Sequence, residues 1–322
     1  MSHPQETALT ALVAKIRQDP ESRRAAVTSL FQLEGCDFEA AHACLGLRKQ
    51  AILSQEDLAP CTPILVDRWQ AIFGEIAPAQ VESDSHDWMF EQAYARKRAY
   101  AGLLLDLLGY VPKESTVPAL ERALMLKDPR LKCWTIVSLI RHGCPVKPDD
   151  VLDVTESDEV RLTLWNEFRK LKSESLMPAE WTTPENLAAS SLTSWAGHPN
   201  EFGTPPQVVE AVQGFIVDDV EGHEGEELIV YLFRFGKFAC SSIPAEDRFA
   251  GIAGPFHDGE ELDSPWSNRT RWEALPPDEH FDRMYYRSAP MTCGPELTAQ
   301  VVQKLQMIKA RLGSTPGTSS TA

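Results

Sequence analysis

Three short segments place an imidazole beside carboxylates, and they are the first candidates for chemistry. His223-Glu224-Gly225-Glu226-Glu227 opens like the helix of a zinc metalloprotease. That motif is HExxH, in which two histidines one helical turn apart hold the metal and the glutamate acts as base. Here the fifth position is Glu227, and the run leads into a strand-like segment, so it reads as a solvated acidic loop. His257-Asp258-Gly259-Glu260-Glu261 and Asp278-Glu279-His280-Phe281-Asp282 repeat the theme. Together with His223 they would hold a cation only at the right ligand distances and with an organised outer shell of hydrogen bonds. Spacing supplies neither, so these histidines read as surface polar groups, and no catalytic residue, metal ligand or cofactor is assigned. Ser241 and Ser242 lack a surrounding GxSxG elbow. Gly251 and Gly254 do not make a GxGxxG loop, and there is no Walker phosphate loop. Cys240 reads as a buried thiol beside a strand.

The densest aromatic and basic stretch lies later. Trp266, Trp272, Tyr285 and Tyr286 lie among Arg269, Arg271 and Arg283. Aromatic faces beside guanidinium groups can stack on bases or grip a peptide. Acidic residues interrupt the stretch, which argues against an electrostatic funnel for nucleic acid. Trp266, Arg269, Trp272 and Tyr285 are therefore the candidate protein-interaction patch, with packing inside a core as the competing use of the same rings.

Charge narrows the partner class. The chain has 322 residues, of which 47 are acidic and 31 basic, for a formal charge of -16. Phosphate binding needs concentrated Lys and Arg, so nucleic acid fits poorly and a protein with a basic surface fits better. No run approaches the roughly 18–20 apolar residues of a membrane span, and the start has no basic leader with a long apolar core. The expectation is a cytoplasmic protein without membrane insertion. The 7 cysteines are odd in number and form no CxxC pair, so reduced thiols packed as small hydrophobes are expected.

The elements that would position any site are mostly helices. Leu9, Leu12, Val13 and Ile16 share a face before Asp19-Pro20 interrupts, and the pattern restarts at Ala25, Ala26, Leu30 and Leu33 with Gly35 as a left-handed cap. Segments 37–52, 62–77, 86–109, 115–126 and 130–142 read as further helices, followed by a short one after Lys147-Pro148. Thr183 and Pro184 suit the cap and first position of a helix over 183–195. Val208, Val212 and Phe215 read as one more short helical face. Arg130, Leu131 and Trp134 return as Arg161, Leu162 and Trp165, an offset of 31 residues.

The residues Asp19, Pro20, Arg24 and Gly35, then Asp128, Pro129, Arg130 and Gly143, then Asp158, Val160 and Arg161 carry a resemblance to HEAT or armadillo-like helical repeats over about 6–200. The resemblance implies a ladder of turn aspartates and helix arginines, here Asp128 with Arg130 and Asp158 with Arg161. It also implies stacked helical pairs that work as binding surfaces. Some HEAT-like proteins are alkylated-base DNA glycosylases, which would need a basic concavity with aromatic and acidic residues, and others are related to phycobilin lyases.

Composition changes after the helices. Residues 227–235, ELIVYLFRF, read as a strand buried on both faces, and 248–256 as its neighbour, with Gly251 and Gly254 permitting a bulge or close packing and Pro255 favouring an edge. A helix over about 296–312 should cover one sheet face. The expected fold is predominantly α, a HEAT-like α-solenoid over 1–213 with a small α+β module over 214–312 packed on it and a disordered tail at 313–322. The expected function is a non-enzymatic interaction or adaptor module. A HEAT-like enzyme, either a DNA glycosylase or an unidentified hydrolase, and a toxin-neutralising or secretion-associated protein stand as alternatives.

Overall fold

The computed structural model describes residues 3–81, 92–198, 201, 205–206, 208–217, 226–236, 248–257 and 260–288. The chain divides into two compact units, Met1–Met177 and Pro178–Ala322.

The first unit is helical. Its elements are α1 (His3–Gln18), α2 (Arg23–Phe31), α3 (Asp37–Lys49), α4 (Gln55–Leu58), α5 (Thr62–Val81), α6 (Gln92–Leu108), α7 (Lys113–Ala123), α8 (Pro129–Arg141), α9 (Pro148–Thr155) and α10 (Arg161–Leu171). Helices α5 and α6, α7 and α8, and α9 and α10 pack as pairs. Across the pairs, α3 packs on α6, α6 on α8 and α8 on α10, while α5 packs on α7. This is a two-layer arrangement of stacked helical pairs, consistent with a helical repeat. Its core is apolar and continuous from Ile16 through Trp69 and Leu104 to Leu139.

Local chemistry sets the helix ends. Asp19 stops α1 and its carboxylate accepts from the Glu21 and Ser22 backbone and the Ser22 hydroxyl. Gly35 and Gly143 take φ of +68° and +71°, where a side chain is strained. Helix α5 runs past the expected stop at 77, through Pro78 to Val81. The physical reason is Gln80, which is fully buried. Its side-chain oxygen accepts from the Lys127 and Asp128 backbone N–H groups, and its amide donates to the Tyr94 oxygen. That tertiary anchor holds a last turn that proline would otherwise fray.

The second unit contains α11 (Pro184–Ala196) and a sheet of β1 (Val208–Val217), β2 (Leu228–Gly236), β3 (Arg248–His257) and β4 (Glu260–Arg271), followed by α12 (Pro277–Ser288). The strands form an antiparallel meander in the order β1-β2-β3-β4. Thr183 caps α11 through the Asn186 N–H, and Pro184 takes its first position, as expected. Helix α11, expected within the helical array over 1–213, falls in this unit.

Strand β2 is an inner strand with nearly every residue buried. Leu228, Val230 and Leu232 point to the side where Phe281 and Met284 of α12 pack. On the other side α11 brings Leu192 close to Gly251 and Phe235. A Cβ at Gly251 would lie 2.6 Å from the Phe235 ring and 3.0 Å from Leu192, so the close approach needs glycine there.

Three expectations are corrected. Residues 208–217 are a strand, not a helical face: Val208, Val212 and Phe215 have helical spacing, but pairing with β2, with a register shift between Ala211 and Gln213, overrides it. Strand β3 is internal, not an edge, because a register shift between Gly254 and Phe256 takes Pro255 out of the regular ladder. Residues 260–271 and 277–288, read only as rich in turns and aromatics, are a strand and a helix. The described helix that covers the sheet is α12, and the 296–312 helix lies outside the described residues, as does the 313–322 tail. Among the described residues, no helix is long and apolar enough to cross a membrane.

Candidate interaction surface

The candidate patch is distributed over both faces of the sheet. Trp272 follows β4 and its N–H donates to the Arg248 carbonyl at 2.9 Å. Its ring stacks on His280 with centroids 4.5 Å apart and planes at 22°. The Arg234 guanidinium lies 5.5 Å above the same ring and is paired with Glu210. Tyr285 stacks on Phe281 at 5.1 Å, and Phe281 stacks on Phe215 at 4.1 Å. Trp272 and Tyr285 thus pack against the same apolar cluster under α12. Arg269 is elsewhere. It pairs in register with Gly251, its Nε donates to Glu201 at 2.8 Å, and its guanidinium lies 5.7 Å from the Phe249 ring. Since Gly251 faces α11, Arg269 lies on the opposite side of the sheet from Trp272. Trp266 is placed on β4 opposite Gly254.

The histidine candidates separate in the same way. His280 is fully buried, and its Nε2 lies 2.9 Å from the Glu273 carbonyl, which fixes that nitrogen as the donor. Its Nδ1 is buried without a hydrogen-bond partner. His257 ends β3 with its Cα opposite Glu260. His223, Cys240, Ser241, Ser242 and Cys293 lie outside the described residues. Among the described residues, no three His, Cys, Asp or Glu side chains gather as metal ligands. Cys36, Cys44, Cys61 and Cys133 are buried free thiols, and burial pushes Cys44, Cys61 and Cys133 above the usual thiol range.

The helical unit holds two networks that sequence reasoning did not find. The first joins α6, the start of α8 and the turn before α10. The Asp128 carboxylate is fully buried; one oxygen accepts from the Arg130 and Leu131 N–H groups and caps α8. The Tyr94 hydroxyl donates to its other oxygen at 2.5 Å, and burial pushes that phenol well above its usual range. Arg98 bonds Asp128 at 3.0 Å and Glu159 at 2.8 and 2.9 Å. Its Nε also lies 2.6 Å from Asp128 but off the N–H axis, so that contact is coulombic. Arg130 closes the group on Glu159 at 2.8 Å.

The second network runs across α3, α6, α8 and α10. Arg141 pairs with Asp106 and, at 2.8 Å, with Glu167. Lys49 reaches Asp106 at 3.1 Å and lies 5.0 Å above the Trp134 ring. Lys170 pairs with Glu167 at 2.8 Å. Burial pushes Glu167 up, but the Lys170 hydrogen bond and charge, with Arg141, outweigh it and hold the carboxyl below its usual range. The Tyr110 ring lies between Arg48 at 4.9 Å and Arg141 at 4.2 Å. The pairs are 30 and 35 residues apart, Arg98 with Asp128 and Asp106 with Arg141, and that near-repeat was the available signal.

The expected ladder is half present. Asp158 pairs with Arg161 at 2.5 Å. Asp128 does not pair with the Arg130 side chain; it takes that residue's N–H, and Arg98 supplies the charge. The 31-residue match also fails to mark equivalent positions. Arg161 is buried on the Thr155 and Glu156 carbonyls, whereas Arg130 is half exposed on Glu159. Trp134 is six residues past its cap at Asp128 and Trp165 five past Val160, a difference of about 100° around a helix.

One cleft lies between α5 and α7. Val66, Trp69, Phe73, Pro118, Ala119 and Arg122 line about 230 Å³, with the Arg122 guanidinium 4.6 Å from the Phe73 ring. That is below the roughly 300–1,000 Å³ of small-molecule sites. The sequence matches no protein-family model, and comparisons with curated proteins and with solved structures find no match.

Proposed function

We propose that the chain is a non-catalytic protein-interaction module whose partner presents a basic face to the second unit. The observation that supports this is the uneven charge. Pro178–Ala322 carries 21 acidic and 10 basic residues, against 26 and 21 in Met1–Met177. Exposed carboxylates include Glu210, Glu227 and Glu273. A field of one sign steers an oppositely charged protein and weakens as salt screens it. The helical unit, by contrast, is nearly balanced in charge and commits Asp106, Asp128, Glu159 and Glu167 to buried networks, which suits a scaffold of the HEAT-like kind. Affinity capture from native cells at low and higher salt tests the reading: the expected result is a reproducible basic partner lost at higher salt. Reproducible recovery of no partner under gentle conditions overturns it.

A second reading, a HEAT-like enzyme acting on alkylated DNA, is favoured by one observation. Trp134, Lys49, Asp106 and Arg141 meet across α3, α6 and α8, which supplies an aromatic ring, an acid and cations on one row of helices. Base release from alkylated duplex DNA, absent in Asp106→Asn, would support it. No release by the native chain excludes it.

A further inference from the structure

We infer that the outer edge of β1 receives an extended, basic segment of the partner, added to the sheet as a fifth strand. This rests on the interaction-module reading and names where and in what conformation the partner binds.

The two edges of the sheet are built differently. Strand β4 carries Glu260, Glu261, Asp263, Pro265, Arg269 and Arg271, the charges and proline that blunt an edge against further pairing. Strand β1 is VVEAVQGFIV, without proline, lysine or arginine, and its one charge, Glu210, is paired across the strand with Arg234. Among the described residues, β1 has a strand on one side only. A register shift between Ala211 and Gln213 distorts its first half and leaves 213–217 as the regular stretch. On that stretch Ile216 is 67 % exposed, the most exposed of the large apolar side chains described. It faces the same side as Gly214, over which the Ile229 and Tyr231 side chains close, 3.3 Å from where a Cβ would lie, so Ile216 stands out beside a low point of the strand. An added strand would lay one apolar side chain against the exposed face of Ile216, with main-chain hydrogen bonds supplying affinity and alternate side chains specificity.

Charge decides the occupant. The unit around β1 has 21 acidic and 10 basic residues, so a second copy of this chain is repelled and a basic strand attracted. Glu227, exposed beside the start of β2, lies near the end where Val217 pairs with Leu228.

The test uses the full chain and a fluorescently labelled peptide of alternating Lys and Val, with a Glu-Val peptide as control. The expected result is anisotropy rising with the Lys-Val peptide alone, weaker at higher salt, and affinity lost at least about tenfold in Ile216→Lys. Phe38→Lys, a control at an exposed apolar residue of the helical unit, should bind as the native chain does. Equal binding by the native chain and Ile216→Lys overturns the inference. So does a native chain that sediments as a dimer and becomes monomeric in Ile216→Lys, since the occupant is then a second copy. A basic partner captured from cells equally by native chain and Ile216→Lys leaves the interaction module standing and removes β1 as its site.

Discussion

Asp128→Ala is the substitution that asks most of the first network. It removes the side-chain cap of α8, which is worth about 0.5–2 kcal/mol. It also takes the nearer carboxylate from Arg98, whose side chain is only 13 % exposed. Breaking one partner out of a buried pair costs about 3–5 kcal/mol, but Arg98 keeps both bonds to Glu159, so the low end applies. The Tyr94 hydroxyl loses its acceptor as well. Together these predict a loss of about 3–5 kcal/mol. Asp128→Asn keeps one cap oxygen but turns an amide N–H toward two donors, Arg98 and Tyr94, and should lose about 1–3 kcal/mol. In the cycle with Arg98→Met, the double variant should recover at least about 1 kcal/mol of the summed losses. The assay is urea unfolding of the full chain followed by far-UV circular dichroism, fitted with a separate transition for each unit if two appear. A loss below about 1 kcal/mol for Asp128→Ala, or additivity within about 0.5 kcal/mol in the cycle, refutes the reasoning.

Gly251→Ala should destabilise the second unit by about 1–3 kcal/mol, because Phe235 and Leu192 occupy the space of the new methyl; a denaturant midpoint unchanged from native contradicts the close packing. Acid should weaken the helical unit in two stages. Burial holds the His142 ring, 2.9 Å from the Leu108 carbonyl, below its ordinary 6.5, so its contribution is complete above that value and lost as pH falls through the folded pKa. Glu167, held below 4.5, likewise contributes above its unfolded value and loses that contribution at lower pH. Urea midpoints against pH should show the upper stage vanish in His142→Gln; a flat profile just below about pH 6.5 would be inconsistent with the first stage, and one just below about pH 4.5 with the second. In a variant with Cys240 and Cys293 replaced by serine, a thiol reagent should reach Cys144 in the native state and Cys36, Cys44, Cys61 and Cys133 only on unfolding; rapid native labelling of more than one thiol contradicts their burial.

The helices were legible because their signals are local. Asp19-Pro20, Gly35, Thr183-Pro184 and the apolar stripes each act within a turn or two, and the chain obeys them. Strand β2 was legible because a run of β-branched and aromatic residues has few other uses. Strand β1 was not, since Val208, Val212 and Phe215 suit a helix until a neighbour pairs with them. Helix α12 was hidden by its own polarity, with Asp278, Glu279 and Asp282 masking the Phe281 and Met284 stripe. The interaction patch was read from proximity in sequence. Residues 269 and 272 differ by an odd number, which puts them on opposite sides of an extended chain, and that parity could have been used. The charge networks were harder to see, because each joins residues of at least three separate elements far apart in sequence.

Arg98 also changes how the stack must come apart. In a chain of helical pairs where each touches only its neighbours, stability is a sum of local terms and unfolding can advance from an end one pair at a time. Arg98 on α6 holds Glu159 at the mouth of α10, 61 residues away and past the intervening α7–α8 pair. The last pair cannot fray without exposing an arginine anchored two pairs back, and α6 cannot open without releasing the last pair. Such a next-nearest link turns a zipper into a block. Hydrogen exchange should accordingly find one common opening free energy for the amides of α6, α8 and α10, and in Glu159→Gln that single value should split, with α10 opening first.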